Sequence, residues 1–344
     1  MLRRLLIMVL LLLSGACERL DGTGETGTVV VYGTIDTPTI EPLLTAFEQG
    51  NPGIAVEYHS LTAAEVSERY LEDRRSGRTG PDLLINSAMD LQVQLANDGQ
   101  AMPFAVPEIE QLPDWAHWRD RAFAVGVEPI VIGINTPADL GIAPDTSRAQ
   151  LTEHLQQNRT RYLGRIGIYD PERSSTGMLL FNQDLEADPA NWELVRTIGT
   201  LRPQLYQSSS EMIADVTAGK LLLAYGILGS YAFQQAADDD RFGIVMPGDY
   251  ILLASRVALI PTSAPNPKLG QRLLGYLLSR EGQQLIAQQG MIPVRLDLSN
   301  PYPELAGIRT RAIKVGPALL GNRDRMNTAN FIRRWRTTMT PEEQ

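Results

Sequence analysis

The side chains best suited to chemistry lie in short hydroxyl-bearing loops that open helices. The richest is Arg173-Ser174-Ser175-Thr176-Gly177, between the strand-like run Ile166 to Tyr169 and the apolar run Met178 to Phe181. Thr34 follows the β-branched run Thr28 to Tyr32, and Ser87-Ala88 follows the short apolar run Asp82 to Ile85. A helix N-terminus presents unpaired N–H groups and the positive end of the helix dipole, so such loops suit an anion. Hydroxyls add donors, Gly177 permits close backbone approach, and Arg173 adds positive charge. Ser and Thr are also the commonest helix caps, a role that needs no ligand, and a carboxylate would use the same groups as a phosphate. Ser230, Tyr231, Asp249 and Tyr250 offer hydrogen bonds for the uncharged end of a polyol, or else serve hinge and turn geometry. Glu128 precedes Pro129 within an apolar run. A buried unpaired carboxylate is costly, so Glu128 either meets water in a cleft or has a partner.

Catalytic and metal chemistry find less support. His59, His117 and His154 are far apart, with no metal-ligand spacing. There is no Gly-x-Ser-x-Gly elbow, phosphate-loop lysine motif or His-Glu-x-x-His. A hydrolase of phosphate esters would need a nucleophile or metal cluster that the sequence does not offer. The expectation is a binding protein, not an enzyme, with no cofactor and no bound metal.

The N-terminus reads as an address. Arg3 and Arg4 precede an unbroken apolar run of nine residues, Leu5 to Leu13. A membrane span takes about 20 residues, so residues 1–16 are read as a secretory signal. Ser14-Gly15-Ala16-Cys17 resembles a bacterial lipobox, although Ser14 stands where leucine is usual. Cys17 is the single cysteine, so it has no internal disulfide partner and is the expected lipidation site. Residues 17–27 read as a polar tether. Without residues 1–16 the chain has 29 basic and 40 acidic residues, a formal charge of −11. That balance argues against a nucleic-acid partner. The remaining length suits two ordinary domains.

These loops must be held by alternating strands and helices. Thr28 to Tyr32 and Ile54 to Tyr58 read as strands. Thr37 and Pro38 open one helix, the Thr62/Glu65 capping box a second, and a Ser87/Asp90 capping box a third. This β-α-β-α-β-α order implies a parallel sheet with ligands beyond the strand carboxyl ends. The loops Gly33 to Thr37 and Asn86 to Ala88 are therefore singled out. Ala122 to Asn135 is long enough to pass from one lobe to another. Further strands are read at Ile166 to Tyr169, Leu221 to Tyr225, Phe242 to Met246 and Arg256 to Ile260. Helices are read near Arg148 to Gln157, Trp192 to Leu201, Asn266 to Leu278 and Ser279 to Gln289.

Four segments resemble the bacterial periplasmic solute-binding proteins of the type II, ferric-iron-binding-like class. They are Thr28 to Thr34 (TVVVYGT), Pro81 to Gly99 (PDLLINSAMDLQVQLANDG), Ala122 to Asn135 around Glu128-Pro129, and Asn266 to Gln289 with its Ser-x-Glu-Gly-Gln motif. The Ser-Ala-Met-Asp block is most similar to the hexose-phosphate and phosphoglycerate binders. The resemblance implies a two-lobed α/β fold, each lobe a mainly parallel sheet flanked by helices, joined by two hinge strands. Lobe 1 is then residues 28–128 plus 251–290, and lobe 2 is 129–250 plus 291–344, with crossings near 123–134 and 243–250. It places the hydroxyl loops of both lobes on one cleft. A small anionic solute is then held by Thr34, Ser87, Ala88 and Ser174 to Gly177, with Glu128, Ser230, Tyr231 and Asp249 completing the site. Ferric binders of this class use two adjacent tyrosines. The matching segment here has Ser230-Tyr231, which leaves ferric iron as the alternative cargo. The implied partner is an inner-membrane ABC permease, or a membrane sensor kinase of a two-component system. The implied state is a periplasmic monomer, anchored if Cys17 is lipidated.

Overall fold

The computed structural model describes residues 26–339. Residues 1–16, Cys17 and most of the 17–27 tether lie outside the described residues. The first lobe opens with β1 (Gly27–Gly33), α1 (Thr37–Gly50), β2 (Ile54–Ser60), α2 (Ala63–Ser76), β3 (Leu83–Asn86) and α3 (Met89–Asn97). β4 (His117–Trp118) leads into the long β5 (Ala122–Asn135). The second lobe holds α4 (Arg148–Gln157), α5 (Arg159–Tyr162), β6 (Ile166–Tyr169), α6 (Ser175–Ala187) and α7 (Asn191–Thr200). It continues through β7 (Gln204–Tyr206), α8 (Ser209–Thr217), β8 (Leu223–Leu228), α9 (Gly229–Asp238) and β9 (Phe242–Val245). The chain then returns as β10 (Ile251–Leu259), α10 (Pro267–Leu278), α11 (Arg280–Gln288), β11 (Thr310–Ala312) and α12 (Arg325–Met339).

β1 pairs in parallel with both β2 and β3, as its β-branched run requires of a strand buried among neighbours. The strand order is β2-β1-β3-β10-β5-β8-β6-β7, so β5 belongs to both lobes. Its Phe123 to Pro129 half pairs with β10, and its Ile130 to Asn135 half pairs with β8 and β9. The change of partners falls at Glu128-Pro129-Ile130. The second crossing is the short segment between β9 and β10. This is the two-lobed α/β architecture with hinge strands that the family resemblance implied.

Past Gly290 the chain touches both lobes. Val127 bridges Ile292, and Arg323 donates to Gln94 of α3 at 3.1 Å. α12 lies on the second lobe, where Trp335 packs on Phe181 and Phe331 on Trp192. Gly199 of α7 is needed there, because a Cβ would stand 2.3 Å from the Thr338 carbonyl oxygen.

Three local readings are corrected. The strand read as Leu221 to Tyr225 does not stop there: Gly226, with φ at 76°, is an extra residue opposite Val131/Ile132, and β8 continues to Leu228. A glycine in a strand often marks such a bulge rather than a stop. Asp36, not Thr37, is the N-cap residue of α1. Ser87 does not cap α3 either. The N-cap position is Ala88, without a side-chain cap bond, and Ser87 turns away from the helix. Asp90, the would-be partner in that box, is buried and accepts from the Leu91 N–H at 3.0 Å. Burial pushes its carboxyl up to about 6, with Arg323 pulling the other way.

A polar knot ties the second lobe to the second crossing. Arg148, buried at the start of α4, pairs with Asp184 of α6 at 3.0 Å and with Asp249 at 2.8 Å. It also donates to the Tyr250 carbonyl and stacks over the Tyr250 ring at 4.0 Å. The Tyr225 and Tyr250 hydroxyls both donate to the Asp184 carboxylate at 2.6 Å.

Two predictions follow from these buried charges. Arg148→Ala leaves Asp184 buried without its cation, which costs about 3–5 kcal/mol, so the unfolding midpoint in denaturant drops sharply. Asp90 has a folded-state pKa above its unfolded value, so it binds its proton more tightly when folded. Its contribution is therefore fully present at low pH and fades as pH rises from about 4 to about 6. Asp90→Asn accordingly raises stability at pH 7 by about 2–3 kcal/mol and changes little at pH 4, as read by thermal unfolding at both pH values.

Candidate functional site

Between the lobes lies a cavity of about 270 Å³ at the carboxyl ends of β1, β3, β6 and β7. Four helices begin on its wall: α1 and α2 from the first lobe, α6 and α8 from the second. Their opening residues, Asp36, Thr62 to Glu65, Ser174 to Thr176 and Ser208 to Ser210, all line it. Each start follows from local sequence. Thr62 and Glu65 form a complete capping box. Ser174 accepts from the Gly177 N–H at 3.2 Å, and Ser208 accepts from Glu211 N–H at 3.3 Å. Four aligned starts leave several backbone donors and dipole ends directed at one space, the electrostatic setting for an anion.

The floor is set by a charge inside a strand. Arg256 of β10 is buried, and β5 carries an extra residue, Val125, opposite the Arg256/Val257 step. Such a bulge re-aims side chains near functional sites. Arg256 lines the cavity and reaches Thr34 with Nη1, 3.1 Å from its carbonyl and 3.2 Å from its Oγ1. Behind it, Nε donates to Glu128 Oε1 at 3.1 Å, and Nη2 lies 3.1 Å from the same oxygen in an ion pair without hydrogen-bond alignment. Glu128 also accepts from the Ser230 N–H and hydroxyl, both at 2.9 Å. Burial opposes the charge on Arg256, yet Tyr231 and Glu128 hold its pKa above the ordinary arginine value.

Three hydrogen bonds cross the cleft. Ser87 Oγ and Thr176 Oγ1 are 2.7 Å apart. Ser210 Oγ donates to Asp36 Oδ2 at 2.7 Å, and the Asp36 N–H donates to the Tyr231 hydroxyl at 3.1 Å. The cavity is thus held in a closed form.

Of the residues singled out in the sequence, Thr34, Ser87, Ser174, Ser175, Thr176 and Tyr231 line this cavity. Arg173 also lines it, and its guanidinium makes no ion pair among the described residues. Five others stand elsewhere. Ala88 is fully buried, its N–H held by the Asn86 side chain. Glu128 and Ser230 are spent on each other and on Arg256. Gly177 gives its N–H to Ser174, and a Cβ there would lie 2.4 Å from that of Tyr169, so this glycine serves helix-on-strand packing. Asp249 belongs to the Arg148 knot. Tyr225 is in the same knot and does not join Tyr231.

Sequence reading missed Arg256, Asp36 and Ser208 to Ser210. The signal for Arg256 was present: a lone charge inside ILLASRVALI must have a buried partner. Ser208 with Glu211 also carried a capping pattern. Asp36 lies within the loop Gly33 to Thr37 that was singled out, though it was not itself named. Among the described residues, no group of three or more His, Cys, Asp or Glu could hold a metal ion.

This geometry has close relatives. Residues 43–306 match the family described as bacterial extracellular solute-binding protein. The substrate-binding protein of an ABC transporter from Agrobacterium tumefaciens is 33% identical, with a TM-score of 0.86 over 93% of this chain and 96% of that one. AfuA from Actinobacillus pleuropneumoniae, solved with fructose-6-phosphate, is 17% identical with a TM-score of 0.75, over 92% and 99% of the two chains. Iron-bound HitA from Pseudomonas aeruginosa is 16% identical with a TM-score of 0.69, over 91% and 99%. These two share the fold. No curated protein matches the chain. With the family's sequence over most of its length, and with two lobes closed on a polar cavity, the chain belongs to the bacterial extracellular solute-binding proteins.

Proposed function

We propose that this protein captures a small anionic solute, a phosphorylated sugar or organic acid, and delivers it to an inner-membrane ABC permease. The observation that carries the reading is the convergence of four helix N-termini, two from each lobe, on one cavity floored by Arg256. The permease partner is supported by the Agrobacterium relative, described as part of an ABC transporter. Binding rather than turnover is the family's activity. The anion sits against Thr34, Ser87, Ser175 and Thr176, where hydroxyls and helix-start N–H groups replace its water. The cavity's 270 Å³ suits a ligand of sugar-phosphate size.

A phenolate-bound ferric ion is a poorer match. Tyr231 is occupied by the Asp36 N–H, and burial raises its pKa, keeping the phenol protonated. Tyr169 is raised further by burial and is hydrogen-bonded to Ser209 at 2.6 Å.

Thermal unfolding against hexose phosphates, phosphoglycerates, their unphosphorylated parents, dicarboxylates and ferric citrate tests the class. Stabilisation by phosphorylated compounds alone supports the proposal, and stabilisation by ferric citrate alone contradicts it. A ligand at a thousand times its Kd adds about 4 kcal/mol. Combined Ser175→Ala and Thr176→Ala should weaken that binding at least about tenfold, since hydrogen bonds to a charged group contribute about 1.5–3 kcal/mol each. Undiminished affinity would remove these hydroxyls from the site. The proposed address is periplasmic, with residues 1–16 as signal and Cys17 as lipid attachment point. Cys17→Ser then moves the protein from the membrane fraction to the soluble periplasmic fraction.

A further inference from the structure

We propose that Asp36 sets the specificity of the cavity, admitting ligands with one anionic group and a hydroxyl-bearing body and turning away those with a second anionic group. This rests on the anion-binding reading above and narrows it. Aspartate at an N-cap ordinarily accepts from the second or third N–H of its helix. Asp36 does not. Pro38 has no N–H to give, and the Thr39 N–H is already taken by the Asp36 backbone carbonyl at 2.9 Å. The carboxylate is thereby released from its own helix, and it lines the cavity.

Its position is fixed from both sides. Tyr58 Oη accepts from the Ile35 N–H at 3.0 Å and donates to the Ile35 carbonyl at 2.7 Å, while Tyr231 holds the Asp36 N–H. The sole side-chain partner of the carboxylate among the described residues is the Ser210 hydroxyl. The other charged groups on the wall are committed or opposite in sign. Glu65 is held in the α2 capping box, accepting from the Thr62 N–H at 2.8 Å. Arg256 is backed by Glu128, and Arg173 is a cation. Of the two carboxylates on the wall, neither in an ion pair among the described residues, Asp36 is therefore the one not tied up in its own helix cap. An ionised carboxylate only accepts hydrogen bonds. Sugar or polyol hydroxyls satisfy it, whereas a second phosphate or carboxylate in a confined, partly desolvated space is repelled.

The test compares glucose 6-phosphate and fructose 6-phosphate with fructose 1,6-bisphosphate by calorimetric titration of the processed protein. The unmodified protein should prefer a monophosphate. Asp36→Asn should shift the ratio of affinities about tenfold toward the bisphosphate, an electrostatic effect of ordinary size for close charges. Ser210→Ala removes the cross-cleft contact but keeps the charge, so it should retain the preference even if both affinities fall. A ratio unchanged in Asp36→Asn, or shifted as much in Ser210→Ala, overturns the assignment while leaving the anion-binding reading intact. If neither monophosphate nor bisphosphate binds the unmodified protein, the sugar-phosphate form of the anion-binding reading fails, and this inference with it.

Discussion

The buried union of Arg256, Glu128 and Ser230 is the constraint on which the rest of the structure depends. Two charges removed from water are costly unless each is closely paired and hydrogen-bonded. Glu128 meets that condition with both carboxylate oxygens occupied. Its three members come from the returning strand of the first lobe, the shared strand, and the first turn of α9 in the second lobe. Gly229, just before Ser230, lies so close to Pro129 that a Cβ would sit 2.5 Å from its Cγ. The backbone of α9 is thus seated directly on the point where β5 changes partners. One polar cluster holds the two sheets together and presents Arg256 to the cavity.

Around that floor the fold repeats one local device. Each βα turn that meets the cavity ends a strand and starts a helix with a side-chain or backbone cap. The caps satisfy some of the first N–H groups, and the remainder face the cleft. Ser174 and Ser208 are spent on capping, while their neighbours Ser175, Ser209 and Ser210 extend onto the wall. Runs of adjacent hydroxyls are understandable in these terms: one shapes the helix start and a neighbour lines the cavity.

Much of this was legible from residue patterns alone. Alternating β-branched runs and capped apolar stripes gave away the parallel sheets, because such patterns depend on neighbours near in sequence. The hydroxyl loops were legible for the same reason. What was not legible depends on residues far apart. Ser87 followed by Asp90 satisfies the capping pattern, but Thr176, 89 positions away, offers the Ser87 hydroxyl a partner across the cleft. Asp249 has the composition of a ligand-reading turn, yet Arg148 lies beside it. Gly226 reads as a strand end only until the two-for-one pairing with β5 is known. Arg256 was overlooked although its physics was visible: an arginine inside an apolar strand announces a buried acid.

The Ser87–Thr176 contact joins two neutral hydroxyls, each able to turn and bond water instead. The same holds for the Ser210 and Tyr231 hydroxyls that reach Asp36. Net of competing water, the bonds between neutral groups contribute about 0.5–1.5 kcal/mol each, and the Ser210 bond to the Asp36 carboxylate about 1.5–3 kcal/mol. These cross-cleft bonds therefore sum to only a few kcal/mol, and none of them is a buried ion pair. Each of these contacts is thus one that water can replace, whereas the ion pairs lie behind the cleft, at its floor and in the Arg148 knot.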